Sequence, residues 1–215
     1  MTSRGRERAT ASLEEWVPKT RLGKMIQEGK ITSVDEVFLS GLKISEPQIV
    51  DALIPDIQEE VINVNLVQKQ TDAGEKSSFK AIVAVGNRDG YIGLGSGKAR
   101  QVRTAIEKAA VAARLNIVPV KRGCGSWECG CGKPHSVPFM VEGKCGGVRV
   151  VIVPGPRGLG LVASEVAKVI LGLAGVKDLW MRSYGSTRTV PSFAYAIFDA
   201  LKKTYSLITQ ADWVK

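Results

Sequence analysis

The sequence holds a single histidine, His135, and that scarcity bounds the chemistry open to it. A serine-hydrolase triad would have to use His135, and no Gly-x-Ser-x-Gly elbow accompanies it. The run Gly93-Leu94-Gly95-Ser96-Gly97 has the residue types in the wrong order. The phosphate loop of nucleotide-hydrolysing enzymes is missing too. Counted back from Gly97-Lys98, its first glycine falls at Ile92, and Ala99 stands where a hydroxyl must meet magnesium. The Gly-x-Gly-x-x-Gly dinucleotide pattern also fails there. With no catalytic constellation, the chain is not expected to be an enzyme.

Long apolar runs are absent as well. No stretch approaches the roughly 20 apolar residues of a membrane-spanning helix. Met1–Arg8 lacks the apolar segment of a secretory signal, so a cytoplasmic location is expected. In that compartment the four cysteines read as thiols or metal ligands rather than disulfides. No Cys-x-x-Cys pair occurs, and Cys129 with Cys131 would close a strained ring. No internal repeat is evident beyond a shared habit of glycine loops leading into helices.

Positive charge is plentiful. The 215 residues carry a formal charge of +9 and a pI near 9.5. Residues 1–60 are net −3, residues 61–150 net +8 and residues 151–215 net +4. An anionic partner is therefore expected for the middle and C-terminal parts. At 44% hydrophobic content the chain can bury a core.

Residues 1–58 read as a charged arm (1–15) followed by a helical extension that becomes ordered at Trp16-Val17-Pro18. Short helices are expected at 20–28, 33–39 and 46–54. The last takes Ser45 as its cap, Pro47 at an early helical position and Pro55 as its stop. Residues 59–120 read as a βββα unit. Glu60–Lys69 and Phe79–Val85 alternate as strands, joined by a long polar tip from Lys69 to Lys80 that could probe a nucleic-acid groove. A third strand follows over 90–95. Gly93, Gly95 and Gly97 read as a glycine turn capped by Ser96 or Gly97, opening a helix from about Lys98 to Asn116. Val102, Ile106, Ala109 and Ala113 form its apolar stripe. The start of that helix, with Lys98, Arg100 and Arg103 beside it, suits phosphate. Strand, turn, strand, glycine turn and basic helix describe the RNA-contacting half of a double-stranded-RNA-binding fold.

Residues 121–134 read as a linker rich in Gly and Cys, and residues 135–215 as a second, ββαβα domain. Its strands are expected at 136–142, 148–153 and 179–184, and its helices at 164–173 and 192–204. The overall class is α+β: two small α/β domains plus a helical N-terminal extension. Arg157, Arg182 and Arg188 fall in loop-rich positions of the second domain and suit phosphate clamps, or simply a solvated surface. Cys124, Cys129, Cys131 and His135 lie within twelve residues, a ligand set that tetrahedral zinc accepts. The alternatives are free surface thiols, or Cys145 as a ligand in place of His135. Such a zinc would be structural, because no open ligand position or general base accompanies it.

Several segments together resemble the universal small-subunit ribosomal protein of the fifth family. These are Val85-Gly86, Gly90–Ala99, Ala105-Ile106 and Asn116-Ile117, then Pro134-His135, Ala174–Asp178, Ser183–Ser186 and Phe198–Leu201. Trp16–Pro18, Pro154–Gly160 and Lys203–Tyr205 resemble its archaeal and eukaryotic branch, and the cysteine loop looks archaeal. The resemblance covers nearly all of residues 13–208. It implies a double-stranded-RNA-binding-like domain followed by a domain with a left-handed crossover. It also implies binding to small-subunit rRNA near the mRNA path and the decoding region, an effect on translational accuracy and subunit assembly, and neighbours from the fourth and eighth small-subunit families. Carried onto this sequence, the tip with Lys69, Lys76 and Lys80 would reach rRNA. Arg88, Lys98, Arg100, Arg103, Lys121 and Arg122 would hold phosphates.

Overall fold

A computed structural model describes residues 16–54 and 56–206. The arm at 1–15 and the helix stop expected at Pro55 lie outside these residues. The chain divides into two compact units, Met1–Ile57 and Gln58–Lys215.

In the first unit, three short helices follow their capping chemistry. Thr20 caps α1 (Arg21–Gln27), its side-chain oxygen accepting from the Gly23 amide at 3.1 Å. Ser33 and Glu36 form a reciprocal capping box on α2 (Val34–Leu39). For α3 (Pro47–Leu53) the cap is Glu46, not the expected Ser45. The Glu46 carboxylate turns away from its own helix. It accepts from Trp16 Nε1 at 2.9 Å, Lys19 N at 3.0 Å and Thr20 N at 2.7 Å. Partial desolvation raises its pKa, but these bonds outweigh that and hold the carboxyl below its ordinary value. Pro47 still takes an early position, where its missing N–H costs nothing.

The second unit opens with an antiparallel sheet of order β1-β2-β3-β4: β1 (Gln58–Thr71), β2 (Gly74–Gly86), β3 (Tyr91–Ala99) and β4 (Ile117–Pro119). Helix α4 (Val102–Leu115) precedes β4. Two expectations are corrected here. The polar stretch between Lys69 and Lys80 is not a loop: β1 and β2 stay paired from Gln58↔Gly86 out to Thr71↔Gly74, and only Asp72-Ala73 turn. Gly93, Gly95 and Gly97 are likewise not a turn. They lie within β3, and α4 starts later, behind a Gln101 cap that makes no side-chain bond. The glycines are needed because α4 sits directly on the strand. A Cβ on Gly95 would stand 2.2 Å from Ala113 N, and one on Gly97 would stand 2.4 Å from Ala105 O. The buried stripe of α4 is accordingly Ala105, Ala109, Ala110 and Ala113, while Val102 is exposed.

A second sheet, of order β5-β6-β8-β7, contains β5 (Val141–Cys145), β6 (Val148–Pro154), β7 (Leu161–Val162) and β8 (Leu179–Tyr184). Helices α5 (Glu165–Leu173) and α6 (Val190–Lys202) flank β8 in sequence, and a 3-10 turn (Lys203–Ser206) follows. The strand expected from Ser136 begins instead at Val141; Ser136 makes only an isolated bridge to Gly123. The short β4 and β7 had too little alternation to be read.

One core serves both sheets. Ile82, Ala84, Ile92 and Leu94 of the first join Ile170, Leu171 and Leu173 of α5 and Ile152 and Leu179 of the second. Backbone bonds reinforce this union: Arg88 N donates to Leu173 O at 2.8 Å and Gly90 N to Ala174 O at 3.2 Å. A Cβ on Gly175 would fall 2.2 Å from Arg88 O. Arg88 itself takes a positive φ of 57° to make the turn.

Candidate metal centre and nucleic-acid interface

The cysteine loop is closed at its base by two backbone bonds, Gly123 N to Ser136 O at 2.8 Å and Ser136 N to Gly123 O at 2.9 Å. Gly125 packs so tightly on residues 137–138 that a Cβ there would meet Pro138 O at 2.1 Å. This closure gathers one ligand atom each from Cys124, Cys129, Cys131 and His135, all within 4.8 Å of one another. Cys124 and Cys131 sulfurs are 3.6 Å apart, and Cys129 Sγ is 3.8 Å from His135 Nε2. Zinc–sulfur bonds of about 2.3 Å in a tetrahedron set sulfur–sulfur edges of about 3.8 Å, so the spacing fits that ion. Cys145 is not part of the group: it ends β5, opposite Val148, and packs against the core.

The electrostatics suit a cation. Cys129 accepts backbone N–H bonds, first from Arg157 and then from Cys131, and these lower its pKa to about 6. Cys124 is pushed the other way, by partial desolvation and by the thiols of Cys131 and Cys129. Amides aimed at sulfur favour thiolate, while crowded sulfurs resist a second negative charge. A divalent ion would resolve that conflict by binding all the thiolates at once.

Behind the cluster lies Asp178, a residue that the spacing of potential ligands does not reveal. It is 5% exposed. Its Oδ2 is 2.9 Å from His135 Nδ1, without a well-directed hydrogen bond between them. The carboxylate is close enough to orient the ring and to accept a proton carried on Nδ1. Asp178 Oδ1 accepts from Gly158 N at 3.1 Å and Gly160 N at 2.8 Å. A proton on Nδ1 leaves Nε2 as the lone-pair nitrogen on the side of the sulfurs, as a metal ligand requires.

The cations divide into groups. Lys69 stands opposite Lys76, and Lys80 opposite both Asn65 and Lys98. By the alternation of the ladder, all four lysines share the face of the sheet away from α4. On the other face, Gln68 Nε2 reaches Glu75 and Ser77. Lys98 is therefore a strand residue rather than a helix-start residue, and only Arg100 and Arg103 lie at the start of α4. Arg103 is exposed and pairs with Glu107. Arg88 sits in the 87–90 turn near Glu60. Arg122 is drawn inward onto Asp89. The Lys121 amide donates to the buried Thr204 hydroxyl at 3.0 Å. Arg157, Arg182 and Arg188 are exposed, with Arg182 in β8 and the other two in loops. Arg149, which the sequence did not single out, lies over the Tyr184 ring at 5.9 Å. The structure thus groups the hairpin lysines and distributes the remaining cations.

Comparison with known proteins gives a consistent result. Residues 57–121 match the family described as Ribosomal protein S5, N-terminal domain, and residues 143–212 match Ribosomal protein S5, C-terminal domain. A protein of Pyrobaculum calidifontis named small ribosomal subunit protein uS5 is 58% identical over 197 residues, covering 92% of this chain and 98% of its own length. Proteins of the same name from Ignicoccus hospitalis and Aeropyrum pernix are 57% and 56% identical, covering 96% and 98% of this chain and 98% and 96% of their own lengths. Both sheets, the helix laid on three strand glycines and the shared core therefore belong to a known lineage: the chain is a member of the ribosomal protein S5 family.

Proposed function

We propose that this chain is a structural constituent of the small ribosomal subunit that grips rRNA with one face of its long hairpin. The observation carrying this reading is the pair of directly opposed lysines, Lys69↔Lys76 and Lys80↔Lys98. Like charges facing each other across strands destabilise a sheet. Two such pairs on one face of the sheet, one across β1 and β2 and one across β2 and β3, favour an anion laid along that face, and a phosphate backbone supplies one. Binding is positional: each neutralised phosphate releases counterions and steepens the salt dependence. The extended ribbon reaches away from the core toward the decoding region and mRNA path that the family resemblance implies. The exposed cations Arg88, Arg100, Arg103, Arg157, Arg182 and Arg188 add phosphate contacts, while the backbone roles of Lys121 and the inward turn of Arg122 favour a structural part for that pair. The neighbours are proteins of the fourth and eighth small-subunit families, and translational accuracy and subunit assembly are the activities affected.

Cys124, Cys129, Cys131 and His135 hold one structural zinc in this reading, which staples the loop between the two sheets. With four protein ligands it offers no open coordination position for catalysis. The test combines two measurements. Lys80→Glu with Lys98→Glu should weaken binding to small-subunit rRNA across sequences and lower the slope of log K against log salt by about 1 per lost contact. Purified protein should contain one zinc per chain. Unchanged incorporation of the double variant into subunits would overturn the hairpin assignment, and a metal-free, fully folded protein would overturn the zinc assignment.

A further inference from the structure

Beyond holding its own loop, the metal cluster is wired to a second one. The Pro154–Gly160 segment leaves β6 and returns to β7 with Gly158 and Gly160 at positive φ, 89° and 76°. Four contacts fix it. Gly158 and Gly160 amides donate to Asp178 Oδ1. The Gly155 amide donates to the Ser136 hydroxyl at 3.2 Å. The Arg157 amide donates to Cys129 Sγ. Asp178 is also held from the other side, its amide and that of Lys177 donating to His135 O at 3.1 and 2.9 Å.

We propose that Asp178 is a positioning residue that links metal occupancy to the conformation of the Pro154–Gly160 loop, so that the metal centre sets where Arg157 presents its guanidinium. The inference rests on reading the cysteine cluster as a metal site. Two of the four ligand residues reach the loop by separate routes. His135 reaches it through the Asp178 carboxylate, whose two oxygens divide between the imidazole and the glycine amides. Cys129 reaches it directly, through the amide of Arg157 itself. A buried carboxylate is costly unless each oxygen has partners, and here those partners are a metal ligand on one side and a loop backbone on the other. A metal-bound Cys129 is a permanent thiolate acceptor, and charge-assisted bonds to sulfur and carboxylate are the stronger kind. Metal loss releases the imidazole and the Cys129 sulfur from the ion that fixes both, so both anchors slacken together. The exposed Arg157 then loses a fixed direction although no residue near it has changed.

The experiment uses the full chain with zinc itself as the probe. Zinc affinity is measured by competition with a chromophoric chelator for the wild type and Asp178→Asn, with thermal melts alongside. The Asn variant keeps an acceptor for the glycine amides but loses the charge facing His135. Its zinc affinity should fall about 10–100-fold at unchanged stoichiometry. In the wild type, which needs no substitution, stripping zinc should raise amide hydrogen exchange in residues 157–160 while the β6 and β8 amides stay protected. Binding to small-subunit rRNA then closes the cycle: zinc removal and Arg157→Ala should be non-additive, because both remove the same contact. Equal zinc affinity in Asp178→Asn, with loop exchange indifferent to zinc, overturns the link while leaving the metal site standing. A wild-type chain that binds no zinc overturns the metal reading itself, and this inference with it.

Discussion

Gly95 shows how little freedom some positions have. Its missing side chain lets α4 rest on β3 with Ala113 N where a Cβ would be, at 2.2 Å. Gly95→Ala must push helix and strand apart, which we expect to cost about 3 kcal/mol and to lower the melting temperature by roughly 6–12 °C; a thermal melt by circular dichroism reads this directly. Cys129 provides a second residue-scale test. Its pKa is lowered to about 6 by the Arg157 and Cys131 amides, so in zinc-stripped protein it is thiolate above that pH and thiol below it. Iodoacetamide should therefore alkylate Cys129 before Cys124, whose pKa is raised. The rate should drop as pH falls through about 6, and mass spectrometry of quenched samples locates the adduct. At this scale the sequence was informative about ligand atoms and silent about their support. Four donors within twelve positions announce a cluster. Asp178 is distant in sequence from His135, and only the tertiary fold brings their side chains to 2.9 Å.

At the scale of elements, the hairpin β1–β2 divides into two stretches with different roles. From Phe79 to Gly86, β2 is paired on both sides, by β1 and β3. Beyond Phe79 it is a two-stranded ribbon whose residues contribute nothing to the buried core. Replacing residues 68–77 with a two-residue Asn-Gly turn should therefore leave the melting temperature within about 2 °C while weakening rRNA binding; calorimetry and a filter-binding titration separate the two effects. Alternation made the strands legible but not their extent. Residues 70–77 are polar because both faces of a free ribbon meet water, and polarity without apolar alternation reads as a loop. The three β3 glycines misled for the opposite reason. Glycine ordinarily marks a turn, yet here each one answers a helix backbone pressed against the strand, a contact that no local pattern encodes.

For the molecule as a whole, the shared core matters more than the division into family domains. Ile82 and Leu94 pack in one cluster with Ile170 and Leu173, so residues 58–206 should unfold in one cooperative transition. Scanning calorimetry should give a calorimetric enthalpy equal to the van't Hoff enthalpy for this unit. Two resolved transitions would refute a common core. The α+β class and the pair of sheets were legible from alternating strands and helix stripes. Their fusion was not, because the apolar residues of β2 look the same whether they face one partner layer or two.

The union of the two halves also has a direction in time. The last carbonyls of α5, on Leu173 and Ala174, are satisfied by amides of the turn at Arg88 and Gly90. A helix end left with open carbonyls is incomplete, and the ribosome delivers that turn well before it delivers α5. The first hairpin is thus a template waiting in the nascent chain. The C-terminal half completes its own helix by docking onto a surface made earlier, and a translating ribosome stalled before residue 173 would hold a hairpin already folded and a binding face not yet covered.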